Sequence, residues 1–248
     1  MPPVLDHSFL IFTGIILLAF TIQALSGFGS MIITATLGAH LYPLDLILPV
    51  AIPLDVCLNA FIVLRHRRRL QVRLLFQDIV PFMTMGLAVG IAVFALVQGI
   101  WLKRIFGLLV VAISCQQLRL LSSAAHIQTR MSAKAARLWF AGGGVIQGLY
   151  ASGGPLVVYA ADRLALDKTA FRNTLSALWL GANTVLLFSY ILLGKMTPAT
   201  LAMTAALAPV MIGGIILGEV LHRNMGQGRF RALIYILLLL AGATIVLG

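Results

Sequence analysis

Two short stretches carry the residue types that could bind a ligand, Ser26-Gly27-Phe28-Gly29-Ser30 and Ala151-Ser152-Gly153-Gly154-Pro155. Each interrupts a long apolar run and is followed by a further apolar piece. Glycine reaches backbone angles that other residues avoid, so Gly27, Gly29, Gly153 and Gly154 can turn N–H groups into a cavity. A helix that restarts after such a break presents free N–H groups and a partial positive charge, which suits an anion. Ser26, Ser30 and Ser152 add hydroxyl donors, and Pro155 fits a first helical turn, where its missing N–H is not needed. The competing reading is that the glycines only let helices pack closely. Two matched clusters, each breaking an apolar run, favour a binding site.

Further polar residues stand near these breaks. Gln23 and Gln147 precede them, and Asn59 and Asn183 lie inside long apolar stretches. Amides can donate to an oxyanion without adding charge. They can equally bridge helices, and the glutamines lean that way. Asp55 is the only acid near the centre of a span-length apolar stretch. A carboxylate there is a candidate proton carrier, although fixed negative charge does nothing for an anion site. Glu219, at a stretch end, reads as solvated or paired. No Ser/His, His/Glu or Cys/His grouping sits in the apolar stretches, so neither an enzyme nor a metal or other cofactor is expected.

The elements that must position these residues follow from composition. Of 248 residues, 60% are hydrophobic and 10% charged, and mean hydropathy is +1.02. A soluble domain carries about 25% charged residues, so the chain is expected to be an all-α polytopic membrane protein. Spanning an apolar core of about 30 Å takes about 20 residues. Leu46–Leu64, Ile79–Val97, Trp101–Leu121, Phe171–Leu193, Ala199–Leu221 and Phe230–Leu247 meet or approach that length. Phe9–Leu41 and Leu138–Leu164 are the two broken regions, and their second pieces, Met31–Leu41 and Leu156–Leu164, are too short to span. The N-terminus lacks the basic residues and cleavage site of a signal peptide.

The halves repeat. An offset of 124 maps Gln23 onto Gln147, Gly29 onto Gly153 and Asn59 onto Asn183; an offset of 128 maps Pro81, Gly86 and Gly90 onto Pro209, Gly214 and Gly218. This divides the chain into an N-terminal repeat at 1–121, a cytoplasmic linker at 122–135 and a C-terminal repeat at 136–248. Charge suggests their orientation. If all eight segments alternate, the Lys and Arg residues divide 10 against 8. If each broken region is a re-entrant hairpin beside three spans, the halves are inverted and 15 fall on one side against 3 on the other. Basic loops stay cytoplasmic, so inverted repeats are expected. The cluster from Arg65 to Arg69 then reads as a topology determinant that could also touch anionic lipid.

The Ser26-Gly27-Phe28-Gly29 break, the stretch from Gly148 to Pro155, the arginine-rich turn and the duplicated length together resemble the TauE/SafE sulfite exporter (TSUP) family. The resemblance covers nearly the whole chain. It implies eight transmembrane segments in two halves and the transport of small sulfur-containing or organic anions such as sulfite or sulfonates. The expected function is therefore a secondary transporter in a bacterial-type inner membrane, working by alternating access, with the anion at the tips of the two broken helices. The alternative is an anion channel of the same fold. The expected partners are a small anion and membrane lipid, not nucleic acid, and a homo-oligomer is left open.

Overall fold

The computed structural model describes residues 7–94, 100–122, 131–150, 154–164 and 166–247. Among the described residues the regular structure is helical throughout. The helices are α1 (His7–Ser26), α2 (Ser30–Gly38), α3 (Leu44–Arg65), α4 (Val72–Leu74), α5 (Val80–Phe94), α6 (Ile100–Ser122), α7 (Ala133–Tyr150), α8 (Gly154–Asp162), α9 (Lys168–Leu192), α10 (Pro198–Asn224) and α11 (Gln227–Leu247). A π-helical turn, Leu75–Ile79, joins α4 to α5. Within the described residues each apolar stretch expected from the sequence is helical, and the first break falls between α1 and α2; residues 95–97 of one expected stretch and 151–153 of the second break lie outside the described residues.

Five helical segments are long and apolar enough to cross a membrane, His7–Ser26, Asp45–Arg65, Val72–Gly90, Lys168–Leu192 and Pro198–Asn224. One departs from the expected hairpin. At 20 residues α1 is longer than a half-helix, and its length alone permits a crossing, whereas α2 and α8 have nine each. The apolar run behind Phe9 carries no proline before Gly27, and its single glycine, Gly14, is absorbed inside the helix, so α1 runs on to the break.

The chain forms two compact units, and each draws on both halves of the sequence. The first comprises residues 1–70 and 172–225. In it α1 packs along α10, where Gly214 and Gly218 replace side chains with backbone. A Cβ at Gly218 would lie 2.5 Å from Ala24 Cβ and 2.7 Å from Thr21 O. Phe12, Ile16 and Phe20 of α1, Ile47, Leu54 and Leu58 of α3, and Leu207 and Met211 of α10 form its core. Pro49 and Pro53 lie inside α3, where each removes one intrahelical hydrogen bond just before Asp55. Helix α10 starts on an N-cap: Thr197 Oγ1 accepts from Thr200 N at 3.2 Å, with Pro198 in the first turn.

The second unit comprises residues 71–171 and 226–248. Here α5 packs along α7 through Gly86 and Gly90, at which a Cβ would collide with the carbonyls of Ala141 and Val145. Helix α6 packs along α11 beside Gly242. Ion pairs fasten the helix ends. Arg137 Nε lies 2.7 Å from Asp78 Oδ1, and Asp162 accepts from Arg231 Nε at 3.1 Å and Tyr235 OH at 2.6 Å.

The two glycine crossings match by sequence position. Gly86 meets Ala141 and Gly90 meets Val145; Gly214 approaches the Leu17 carbonyl and Gly218 that of Thr21. The partners differ by 124 and the glycines by 128, the same offsets found in the sequence. In each unit, a glycine-pair helix of one sequence half embraces the first helix of the other half.

Candidate functional site: a carboxylate at a broken helix

The first break is built by two glycines and clamped by one glutamine. Gly27 ends α1 at φ +86° with its N–H donating to Gln23 O at 2.7 Å, a glycine cap of the usual kind. Close approach also requires glycine there, since a Cβ would lie 2.5 Å from Arg172 O. Gly29, at φ +106°, starts α2; a Cβ there meets only Ile22 Cγ2 at 3.6 Å, so the backbone angle selects this glycine. Gln23 spans the gap. Its Oε1 accepts from Ser30 N at 3.1 Å, and its Nε2 donates to Gly27 O at 3.4 Å and Asn59 Oδ1 at 3.1 Å.

The polar groups converge on Asp55, which is 1% exposed. Ser30 Oγ donates to Asp55 Oδ1 at 2.6 Å. Asn59 Nδ2 and Asn183 Nδ2 both donate to Asp55 Oδ2, at 2.6 and 2.5 Å. A carboxylate accepts only, and three donors close around this one. The sequence reading left Asp55 between a proton carrier and a carboxylate paired with arginine or facing water; it is buried and held by a hydroxyl and two amides.

The expected binding residues are therefore placed as follows. Gln23, Ser26, Gly27, Gly29, Ser30, Asn59 and Asn183 come together around the first break, with Asp55 among them. Ser26 Oγ donates to Ile22 O and Phe28 O, both at 2.8 Å, and Phe28 N points back to it at 3.4 Å. The hydroxyls and the amides at 27, 28 and 30 are thus engaged within the protein. In the second unit, Gln147 lies near the end of α7, and Gly154 and Pro155 open α8, with Pro155 buried. Ser152 and Gly153 lie outside the described residues. Among the described residues no three His, Cys, Asp or Glu side chains group as a metal site.

Sequence reasoning missed Arg172, which it counted with the cytoplasmic loop charge. It is fully buried in α9, and its Nη1 donates to Ala24 O at 2.7 Å and to Glu219 Oε1 at 2.6 Å. Glu219 is paired, one of the two states expected for it, and Arg65 Nε and His66 Nε2 approach its other oxygen at 3.9 and 3.5 Å. Burial holds the His66 pKa below its ordinary value of 6.5, and the Arg172 and Arg65 charges add to this against the opposing pull of Glu219. His66 is therefore neutral at pH 7. Towards the other end of α9, Asp45, Leu48, Pro49, Tyr190 and Lys195 line a cavity of about 280 Å³.

Long apolar helices around a broken helix with a buried carboxylate define an integral, multi-pass membrane protein. The model of the TauE/SafE sulfite exporter family matches residues 12–245, and the chain belongs to that family of membrane transporters. No curated protein and no solved structure matches the chain.

Proposed function

We propose that the protein is a secondary transporter that moves a small sulfur-containing or organic anion, of the sulfite or sulfonate class, across the membrane together with a proton on Asp55. The carrying observation is the three-donor cluster on Asp55 at the broken helix. A buried carboxylate at membrane depth is functional by default. While ionised it repels an incoming anion and holds Ser30 and both asparagines. Once protonated it removes that repulsion and releases donors of the break to the anion. Charge and substrate thus enter and leave together, and the break is the place where the two equilibria meet.

The matched glycine crossings support two homologous halves, and the charge count supports their inversion. Movement of one such repeat against the other then gives alternating access, with irregular backbone confined to the cavity that it lines. Reporter fusions at Arg67 and Lys168 should both be cytoplasmic; opposite sides would remove the inverted arrangement. For function, reconstituted protein should show saturable uptake of radiolabelled sulfite, driven by a pH gradient. Flux that rises linearly with concentration and ignores the gradient would replace the carrier with an anion channel.

A further inference from the structure

The Arg172 guanidinium uses only one of its edges. Its Nη1 is engaged, but Nε and Nη2 are buried with no hydrogen-bond partner among the described residues. Those two nitrogens form the side-on edge of the fork, whose parallel N–H groups match two oxygens of one oxyanion. Buried donors are nearly always bonded, so a charged pair left without acceptors points to a ligand.

The same helix continues the pattern. Ser176 Oγ, on a fully buried residue, and Trp179 Nε1 also lack partners among the described residues. Trp179 can only donate. Residues 172, 176, 179 and 183 fall within an arc of about 60° on α9, at about 100° per residue. Both ends of that arc face the first break. Arg172 presents its backbone to Gly27, and Asn183 reaches Asp55. The opposite face carries the exposed Val185, Phe188 and Leu192. From Arg172 to Asn183 the axis rises about 16 Å, half the thickness of a bilayer core.

We propose that this face of α9 is the anion track, with the Arg172 edge taking two oxygens of a small oxyanion and Ser176 and Trp179 donating to it on the way to Asp55. The inference rests on the transporter reading and names the residues that hold its substrate. It also sets a preference. A sulfite, sulfonate or carboxylate offers two oxygens to the fork, whereas a spherical halide cannot use both donors in that way.

Trp179→Phe and Ser176→Ala remove donors that bond nothing among the described residues, so the doubly substituted protein should fold and melt as the native chain does or slightly higher. Its KM for radiolabelled sulfite in proteoliposomes should rise about tenfold, the effect of losing a hydrogen bond to a charged ligand. Arg172→Lys keeps a charge for Glu219 but loses the fork, and should weaken sulfite and ethanesulfonate far more than chloride. An unchanged KM in the double variant would overturn the track. If the native chain carries neither sulfite nor ethanesulfonate, the transport reading fails, and the track is judged by binding alone. Sulfite should raise the melting temperature of the purified native chain and not that of the double variant; an equal rise in both, or none in either, overturns it.

Discussion

Helices α3 and α9 are related by the sequence offset of 124, yet they carry different chemical groups at the matched positions. Each carries an asparagine at the matched site, Asn59 and Asn183, and both amides end on the same carboxylate. That carboxylate belongs to α3. Its counterpart on α9 is Trp179, and the positions matching Arg172 and Ser176 are Leu48 and Ile52. Helix α3 therefore supplies the carboxylate and one of its donors, Asn59, and α9 supplies Asn183 with the further donors Arg172, Ser176 and Trp179. On the proposed transport reading, differences at these few matched positions give α3 the protonatable group and α9 the anion-binding face. A carrier that moves an anion together with a proton, as proposed above, needs both.

The comparison can be broken most severely where the two helices meet the break. Gly27→Val puts a branched side chain at φ +86° against Arg172 O. The angle alone costs about 1–3 kcal/mol, and the collision adds to it. Folded yield and transport should both be lost. Gly29→Ala meets only the angular penalty and should retain folded protein with a lowered melting temperature. Equal behaviour of the two variants would show that Arg172 does not press on the break.

A smaller effect separates the two asparagines. Asn59 bonds both Asp55 Oδ2 and Asp55 O and also receives Gln23, whereas Asn183 donates to Asp55 Oδ2. Asn59→Ala should therefore destabilise by about 2–4 kcal/mol and Asn183→Ala by about 1–2 kcal/mol. Thermal melts of the purified proteins would measure both. The reverse order would mean that α9, not α3, holds the carboxylate in place.

The smallest effect lies at the C-terminal end of α3, where His66 sits among Arg172, Arg65 and Glu219. Its folded pKa is held below 6.5. The unfolded chain therefore takes up a proton first as pH falls, and stability declines from about pH 6.5 downward until the folded residue titrates too. Melting temperatures should drop across that window, and His66→Gln should flatten the drop. A slope of unchanged size would assign it to another group.

Much of this was legible in the sequence. Helix positions followed from apolar length, and the first break from its glycine cluster, because two glycines so close together inside a run of good spanning residues have few other uses. The repeat offsets anticipated the glycine crossings. The charge network was not legible. Asp55 has its partners 25 and 128 residues away, at Ser30 and Asn183, and no local spacing reveals such a meeting. Arg172 was hidden for a different reason. Counting basic residues by segment treats an arginine near a helix start as loop charge, although its own helical face pairs it with Ser176, Trp179 and Asn183. Reading that face by its helical period would have separated it from the arginines counted as loop charge. The role of Gln23 was also hidden, since a clamp across a break depends on the two positive-φ glycines that bring its ends together.

Replacement of Asp55 by asparagine tests the account most directly, because it keeps the shape of the side chain and removes its charge and its proton. In proteoliposomes loaded with sulfite, Asp55→Asn should still exchange labelled for unlabelled anion but should no longer accumulate it against a gradient when the pH differs across the membrane. Undiminished accumulation driven by the pH difference would contradict the claim that the proton rides on Asp55.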